Sequence, residues 1–188
     1  MKKNIFGAII ALSLSFAVTL PSNAELKGNK TNVHVSNYGD KNKKVKIAAG
    51  IAAPMFSAMD SKGKKVRLSD FKNKSNVLLV FYPGDATPTC TQQLNDIRDN
   101  YKGLEKINVK VFGVNPADAV SHNTFIKDQK YPFQLIIDQN HKISDMYNSM
   151  NFMGFIERTV VLINKKGKIV LFERGLPDVS PNKISKYL

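Results

Sequence analysis

The sequence predicts an α/β domain in which a central mixed β-sheet is flanked by helices. Two observations lead to this prediction. Apolar runs rich in β-forming residues alternate with stretches of helical periodicity, and the last two strand-like runs are joined by a tight turn. The chain has 188 residues, of which 43% are hydrophobic, so it can bury one substantial core. We therefore expect one domain rather than several.

Residues 76–81 form the first long strand-like run, and all but the first of them are apolar. A run of this kind is typical of a central strand that is covered on both faces. A helix is predicted over residues 90–101, because apolar side chains recur there three and four residues apart. The Lys-Gly pair at 102–103 is expected to end this helix.

The rest of the domain continues the same alternation. The other predicted elements are, in order, a strand at 109–114, a helix at 118–127, and strands at 134–137, 159–163 and 168–172. Residues 164–167 join the last two strands and have the composition of a hairpin turn with a glycine at its end. This order of elements predicts the mixed sheet.

The first 24 residues have the three parts of a secretory signal peptide. Lys2 and Lys3 supply the positive charge, an apolar stretch follows as far as Leu20, and small residues precede a cleavage site after Ala24. The apolar stretch is shorter than the ~20 residues of a membrane anchor. We predict cleavage, a mature chain that begins at Glu25, export to the periplasm or medium, and no stable membrane insertion afterwards.

A polar segment separates the signal peptide from the domain. Residues 25–46 are rich in Lys and Asn and carry too little apolar surface to offset the entropy cost of ordering. We predict a flexible leader here. The domain itself is predicted to span residues 47–188.

The chain contains a single cysteine, Cys90, and three histidines that lie far apart in the sequence. One cysteine excludes an intramolecular disulfide and any metal site built from several cysteines. No two histidines have the spacing of metal ligands. We therefore expect neither a metal nor another cofactor.

Cys90 is predicted to lie in the first turn of a helix, beyond the end of a buried strand. Ligands of α/β sheets bind at junctions of this kind, and the helix dipole with its unpaired backbone N–H groups favours a thiolate there. The surrounding residues are polar and rich in threonine and proline. Position alone leaves two interpretations open: a nucleophilic cysteine, or an inert buried cysteine of the kind common in protein cores.

The spacing Pro83-x-x-x-Thr87-x-x-Cys90 matches the active-site pattern of the peroxiredoxins, and the chain resembles that family. The resemblance extends from about Gly50 to the C-terminal region. Within it, Arg158 begins a stretch that is similar to the strand carrying the family's active-site arginine.

Other stretches strengthen the resemblance. Residues 53–56 and 63–71 are similar to the opening strands of the family. Residues 82–91 and 97–99 are most similar to the bacterioferritin-comigratory subgroup, also called the Q type. The resemblance therefore implies a thioredoxin-like fold and thiol-dependent reduction of hydrogen peroxide and organic hydroperoxides.

The resemblance also assigns roles to four residues. It implies that Cys90 is the peroxidatic cysteine, which attacks a peroxide oxygen and becomes sulfenic acid. Thr87, Arg158 and the backbone N–H of Cys90 would bind the peroxide and stabilise charge on the departing oxygen. Pro83 would shield the thiolate from water.

Two positions depart from the subgroup's pattern. Gln93 stands where the subgroup usually has Glu, so this side chain can form a hydrogen bond but cannot pair by charge with Arg158. Asn95 stands five residues after Cys90, where many relatives carry a resolving cysteine. The resemblance thus implies a one-cysteine enzyme that an external thiol recycles, whether glutathione, a thioredoxin-like protein or a glutaredoxin-like protein.

A non-enzymatic role is the alternative: a redox sensor, a chaperone or a cationic binding module of thioredoxin fold. The formal net charge of +13 would suit an anionic partner. Nucleic acid is not expected, because an exported protein rarely meets it and no recognition motif is present. A decayed enzyme would have little reason to retain all four motif residues, so we favour the enzyme, and we expect a monomer or weak homodimer.

Overall fold

The computed structural model of the chain describes residues 46–188. The predicted signal peptide (1–24) and residues 25–45 of the predicted leader lie outside the described residues. Those two predictions, and the domain boundary at residue 47, therefore stay predictions. Within the described part of the chain, no helix is long and apolar enough to cross a membrane.

Seven strands and four α-helices form the described part of the chain. The strands are β1 (Ser57–Met59), β2 (Lys65–Arg67), β3 (Asn76–Phe81), β4 (Val109–Asn115), β5 (Gln134–Ile137), β6 (Thr159–Ile163) and β7 (Ile169–Arg174). The helices are α1 (Pro88–Lys106), α2 (Ala119–Gln129), α3 (Lys142–Met146) and α4 (Pro181–Ile184), with short 3₁₀ turns at Leu68–Phe71 and Ser185–Tyr187.

Five of the strands form the central sheet in the order β5-β4-β3-β6-β7. Strand β3 is parallel to β4, and β4 is parallel to β5. Strand β6 runs antiparallel to both β3 and β7. The predicted mixed sheet is thus confirmed. Because β3 and β4 are parallel neighbours, their carboxyl ends lie at the same edge of the sheet.

Strand β3 is buried along its whole length, as its apolar composition predicts. Its side chains alternate between two apolar clusters, one on each face of the sheet. Leu78 and Val80 share one cluster with Leu94 and Ile97 of α1. Val77, Leu79 and Phe81 face the other cluster. The sheet is therefore a layer between two cores, and α1 packs against one face of it.

Helix α1 differs from its prediction at both ends. It begins two residues before Cys90, because Thr87 has extended backbone angles and Pro88 fits the first helical position. It also continues through Gly103 to Lys106, so the prediction that Gly103 ends it is wrong. A Cβ at Gly103 would lie 2.4 Å from Cγ of Pro181. The glycine is therefore explained by the close approach of α4 and not by a helix end.

The other boundaries were predicted closely, and the short elements were missed. Strands β3, β5 and β6 have the predicted bounds, whereas β4, α2 and β7 differ by one or two residues at their ends. Residues 53–56 are not a strand, because the first strand begins at Ser57 and pairs with β2 in a separate hairpin. Helices α3 and α4 have five and four residues, too few to show a helical period.

Candidate active site

The segment between β3 and α1 carries the predicted motif. After Phe81 the chain leaves the sheet, and Ala86 adopts the left-handed region with φ of 56°. Holding a residue other than glycine there costs about 1 kcal/mol. Thr87 then returns to an extended conformation, and α1 begins. This reversal places Cys90 on the first turn of the helix, as predicted.

Arg158 lies beside Cys90. Its Nη2 is 3.5 Å from Sγ of Cys90. The sheet explains this contact, because β6 is antiparallel to β3 and Thr159 pairs with Phe81. The residue before β6 therefore lies at the carboxyl end of β3, where the motif begins. The structure thus brings together two predicted site residues that are 68 positions apart in the sequence.

The surroundings of Cys90 combine burial with a positive charge. The whole residue is buried, with 0% of its surface exposed, and it packs with Tyr82 and Leu94. Burial alone would fit an inert core cysteine. A guanidinium at the sulfur does not fit that interpretation, because it stabilises negative charge on a thiolate or on a departing oxygen. We therefore favour the interpretation that Cys90 is a nucleophile.

No carboxylate within residues 46–188 forms an ion pair with Arg158. Gln93 is buried near it, but its Nε2 donates to the carbonyl of Gly175 at 3.4 Å. Gly175 in turn donates its N–H to the carbonyl of Arg158 at 2.8 Å. Arg158 Nε is buried without a hydrogen-bond partner in the described chain. With Gln at position 93, the Arg158 guanidinium has no carboxylate partner within residues 46–188, and its Nε–H is unused there.

Thr87 caps α1 with its backbone only. Its carbonyl accepts from Thr91 N–H at 2.8 Å, but its side chain makes no capping hydrogen bond. The backbone N–H of Cys90 also has no acceptor among the described residues. Thr87 is exposed, whereas Cys90 is buried. Within the described chain, the start of α1 therefore has two unused donors, the Thr87 hydroxyl and the Cys90 N–H, at the end of the helix that favours anions.

The other two predicted residues occupy different positions. Pro83 lies at the end of β3 and is itself exposed, so its shielding role stays a prediction. Asn95 lies within α1, where its Nδ2 donates to Gln129 Oε1 at 3.4 Å and its Oδ1 accepts from Arg98 at 3.0 Å. Asn95 therefore links α1 to the end of α2 and is not part of the site.

A buried polar network, which the sequence analysis missed, lies next to the motif. Asp85 accepts four hydrogen bonds at 2.7–2.9 Å, from Tyr82, Asn115, Ser121 and His122. Asp85 itself stands within the motif stretch, but its partners are 30 or more positions away, except Tyr82. The parallel pairing of β3 with β4 could have indicated this network, because it brings the residues that follow β4 to the same edge of the sheet as Asp85.

The network keeps Asp85 ionised and Tyr82 protonated. Burial opposes the charged form of Asp85, but the hydrogen bonds from His122 and Ser121 outweigh it and lower the pKa of this carboxyl below its ordinary value. Burial and then the negative charge of Asp85 raise the pKa of Tyr82 well above its ordinary value. Tyr82 therefore keeps its hydroxyl proton and donates a hydrogen bond to Asp85.

Within the described residues, no group of three or more His, Cys, Asp or Glu side chains could hold a metal ion. The site combines the Cys90 thiol with hydrogen-bond donors. This combination suits an oxygen-containing substrate and does not suit a cation. The chemistry of the site is therefore that of a nucleophilic thiol with donors aimed at a small, electron-rich ligand.

Comparison with known proteins agrees with this site. The sequence pattern of the AhpC/TSA family matches residues 49–172. The chain belongs to the AhpC/TSA family. Chloroplastic peroxiredoxin Q of Triticum aestivum is 36% identical over 131 residues, which are 66% of this chain and 58% of the wheat protein. Peroxiredoxin Bcp of Bacillus subtilis is 33% identical over 132 residues, which are 66% of this chain and 83% of that protein.

Solved structures show the same fold. A PrxQ mutant of Xylella fastidiosa aligns with a TM-score of 0.69 and 25% identity, over 75% of this chain and 97% of the other. Peroxidoxin BcpB of Mycobacterium tuberculosis aligns with a TM-score of 0.66 and 19% identity, over 75% of this chain and 94% of the other. The thioredoxin-like peroxiredoxin fold and the resemblance to the Q type are thus confirmed for this AhpC/TSA member.

Proposed function

We propose that the chain is a thiol-dependent peroxidase in which Cys90 is the nucleophile. One observation carries the proposal: Arg158 Nη2 lies 3.5 Å from Cys90 Sγ, at a helix N-terminus where the Cys90 N–H has no acceptor among the described residues. Membership of the AhpC/TSA family, with relatives named peroxiredoxins, supports the same activity.

The first step uses every donor at the site. The Cys90 thiolate attacks one oxygen of a hydroperoxide, so that an S–O bond forms while the O–O bond breaks. Sulfur loses two electrons and becomes sulfenic acid, and the other oxygen leaves as hydroxide or alkoxide and takes a proton. Arg158, the Thr87 hydroxyl and the Cys90 N–H stabilise the charge that builds on the departing oxygen.

The second step needs a thiol from outside the chain, because the sequence has one cysteine. An external thiol attacks the sulfenic sulfur, and a mixed disulfide and water result. A second thiol then releases reduced Cys90 and a disulfide. Cys90 is fully buried, so the first turn of α1 must open for the thiol to reach it. The reductant that we propose is glutathione or a small thioredoxin-like or glutaredoxin-like protein, with the chain acting as a monomer or weak homodimer.

Peroxide consumption with a thiol donor tests the proposal. The purified mature chain should consume hydrogen peroxide or an organic hydroperoxide, and Cys90→Ser should abolish consumption. After one equivalent of peroxide, mass spectrometry should show a trappable sulfenic acid at Cys90 that becomes a mixed disulfide when thiol is added. Continued consumption without any oxidised Cys90 would show that the nucleophile is wrong. A wild-type chain that consumes no peroxide would favour the sensor, chaperone or binding module.

The one-cysteine mechanism has its own test in Asn95→Cys. Positions 90 and 95 are separated by a rise of about 7.5 Å along a helix, which exceeds the span of a disulfide. With a thiol at position 95, the sulfenic acid should be diverted to an internal disulfide, and this requires the first turns of α1 to open. Asn95→Ser is the matched control, which also loses the amide but supplies no thiol. Persistence of the sulfenic acid in Asn95→Cys would mean that α1 does not open.

We also propose that the protein is exported, with a mature chain that begins at Glu25. The charged, apolar and small-residue succession of residues 1–24 supports this. N-terminal sequencing of protein from the native host is the measurement. Lys2 and Lys3 still present on the mature protein would contradict it.

A further inference from the structure

The segment from Pro83 to Thr87, between β3 and α1, has a single polar anchor. Most of its residues are exposed, and within the described chain Asp85 is the one residue of the segment whose side chain forms a hydrogen bond. The side chain of Asp85 is 6% exposed. Asp85 is therefore the residue whose side chain ties this segment by hydrogen bonds to the rest of the described chain.

The four donors to Asp85 come from three parts of the fold. Tyr82 at the end of β3 and Asn115 at the end of β4 donate to Oδ1, at 2.8 and 2.7 Å. Ser121 and His122 on α2 donate to Oδ2, at 2.7 and 2.9 Å. Tyr82, Asn115 and His122 are fully buried. A carboxylate can accept about four hydrogen bonds, so Asp85 is saturated.

The unused nitrogen of His122 supports a dedicated role for this pair. His122 Nδ1 faces the carboxylate, and Nε2 is buried without a hydrogen-bond partner in the described chain. Leaving a buried polar atom unpaired is costly, so a histidine held only for packing would be a poor choice at this position. The hydrogen bond from Nδ1 to Asp85 therefore explains why a histidine occupies this position.

The segment has two opposite tasks in the proposed reaction. Thr87 and Cys90 must stay in place while peroxide reacts, because their donors act only when they are positioned in advance. Cys90 must then become accessible to an external thiol, although it is fully buried. Thr87 is two residues after Asp85, so the carboxylate controls the start of the part that must open.

We propose that Asp85, held by His122, is a positioning residue that latches residues 83–90 closed for peroxide and whose release admits the external thiol to Cys90. The proposal rests on the proposed peroxidase function. It predicts that weakening the latch slows the peroxide step and speeds the thiol step. A residue with a merely structural role would slow both steps together.

Asp85→Asn is the principal test, because it keeps the shape of the side chain and removes its charge. In the reduced protein, Cys90 should react with a neutral alkylating reagent about tenfold faster than in wild type, the factor that corresponds to one charge-assisted hydrogen bond. The rate constant with hydrogen peroxide should fall by about the same factor, and the reaction of the sulfenic acid with glutathione should accelerate. Asp96→Asn, the same change on the exposed face of α1, should leave all three rates unchanged.

His122 variants separate the latch from general packing. His122→Asn places an amide N–H near the position of Nδ1 and should keep Cys90 slow to alkylate, whereas His122→Leu should make it fast. Far-UV circular dichroism melting of each variant shows whether it is folded. If Asp85→Asn does not fold, Ser121→Ala, which removes one donor to Oδ2, takes its place with the same expected directions.

The outcomes are distinguishable. Equal alkylation rates in wild type, Asp85→Asn and His122→Leu would overturn the latch, and so would a parallel fall of the peroxide and thiol steps. Alkylation needs no peroxidase activity. If the wild-type chain consumes no peroxide, the proposed function is wrong. The alkylation rates would still decide whether Asp85 controls access to Cys90.

Discussion

Helices α1 and α2 begin in the same way and differ in one hydrogen bond. Their cap residues, Thr87 and Asp118, both have extended backbone angles, and both accept the first helical N–H through their carbonyls. Asp118 also accepts the N–H of Ser121, the third residue of α2, at 2.9 Å. Thr87 leaves the N–H of Cys90, the third residue of α1, without an acceptor.

This one hydrogen bond separates a helix start that serves stability, in α2, from one that serves chemistry, in α1. Both helices follow parallel strands whose carboxyl ends lie at one edge of the sheet. Satisfying the third N–H stabilises a helix by about 1 kcal/mol. At α1 that stabilisation is absent, and in its place a donor stays free beside a thiol and Arg158. Helices α2 and α4 are capped by the side chains of Asp118 and Ser180, whereas α1, which carries Cys90, is not.

Giving α1 the cap of α2 should produce the largest effect. In Thr87→Asp, the new carboxylate would accept the Cys90 N–H and place a negative charge beside the sulfur. Two donors would be lost, and each typically contributes a hundredfold or more, so the rate constant with hydrogen peroxide should fall by about ten-thousandfold or more. Stopped-flow kinetics measures it. Thr87→Ser, which keeps the hydroxyl, is the control. Near-normal activity of Thr87→Asp would show that the uncapped start of α1 does not serve the reaction.

Removing the guanidinium should have the next largest effect. Arg158→Met keeps an unbranched apolar stem but removes the charge and the N–H groups, so the same rate constant should fall by about a hundredfold or more. Arg67→Met is the matched control, because Arg67 is exposed and pairs with Asp70 away from the site. If Arg158→Met is as fast as the control, the donors at the start of α1, and not Arg158, account for the rate of the peroxide step.

Removing the cap of α2 should have the smallest effect, and on stability alone. Asp118→Ala should lower the free energy of unfolding by about 1 kcal/mol, because Ser121 N–H loses its acceptor. Thr87→Ala should cost less stability, because no capping bond is lost there, yet it should reduce activity. Chemical denaturation followed by circular dichroism, beside peroxide kinetics, checks both. Equal losses of stability in the two variants would mean that Thr87 does cap α1.

The sequence was sufficient where the signal is local. The apolar run at 76–81 identified a strand buried on both faces, and the turn at 164–167 identified a hairpin, in which Gly167 has φ of 77°. The motif identified Cys90 and Thr87, because both lie within one turn of the helix that follows the strand. Gly103 misled the prediction, since a glycine that ends a helix and one that makes room for Pro181 look alike in sequence.

The contacts across the sheet depend on how the elements pack and could not be predicted from the sequence. Arg158 could be named from a resemblance, but its place beside Cys90 depends on the antiparallel register of β6 with β3. The partners of Asp85 depend on the parallel register of β3 with β4 and on the path of α2. Hydrophobic periodicity sets which face of an element is buried. It does not set which strands become neighbours, and hydrogen bonds between distant polar groups exist only after that choice is made.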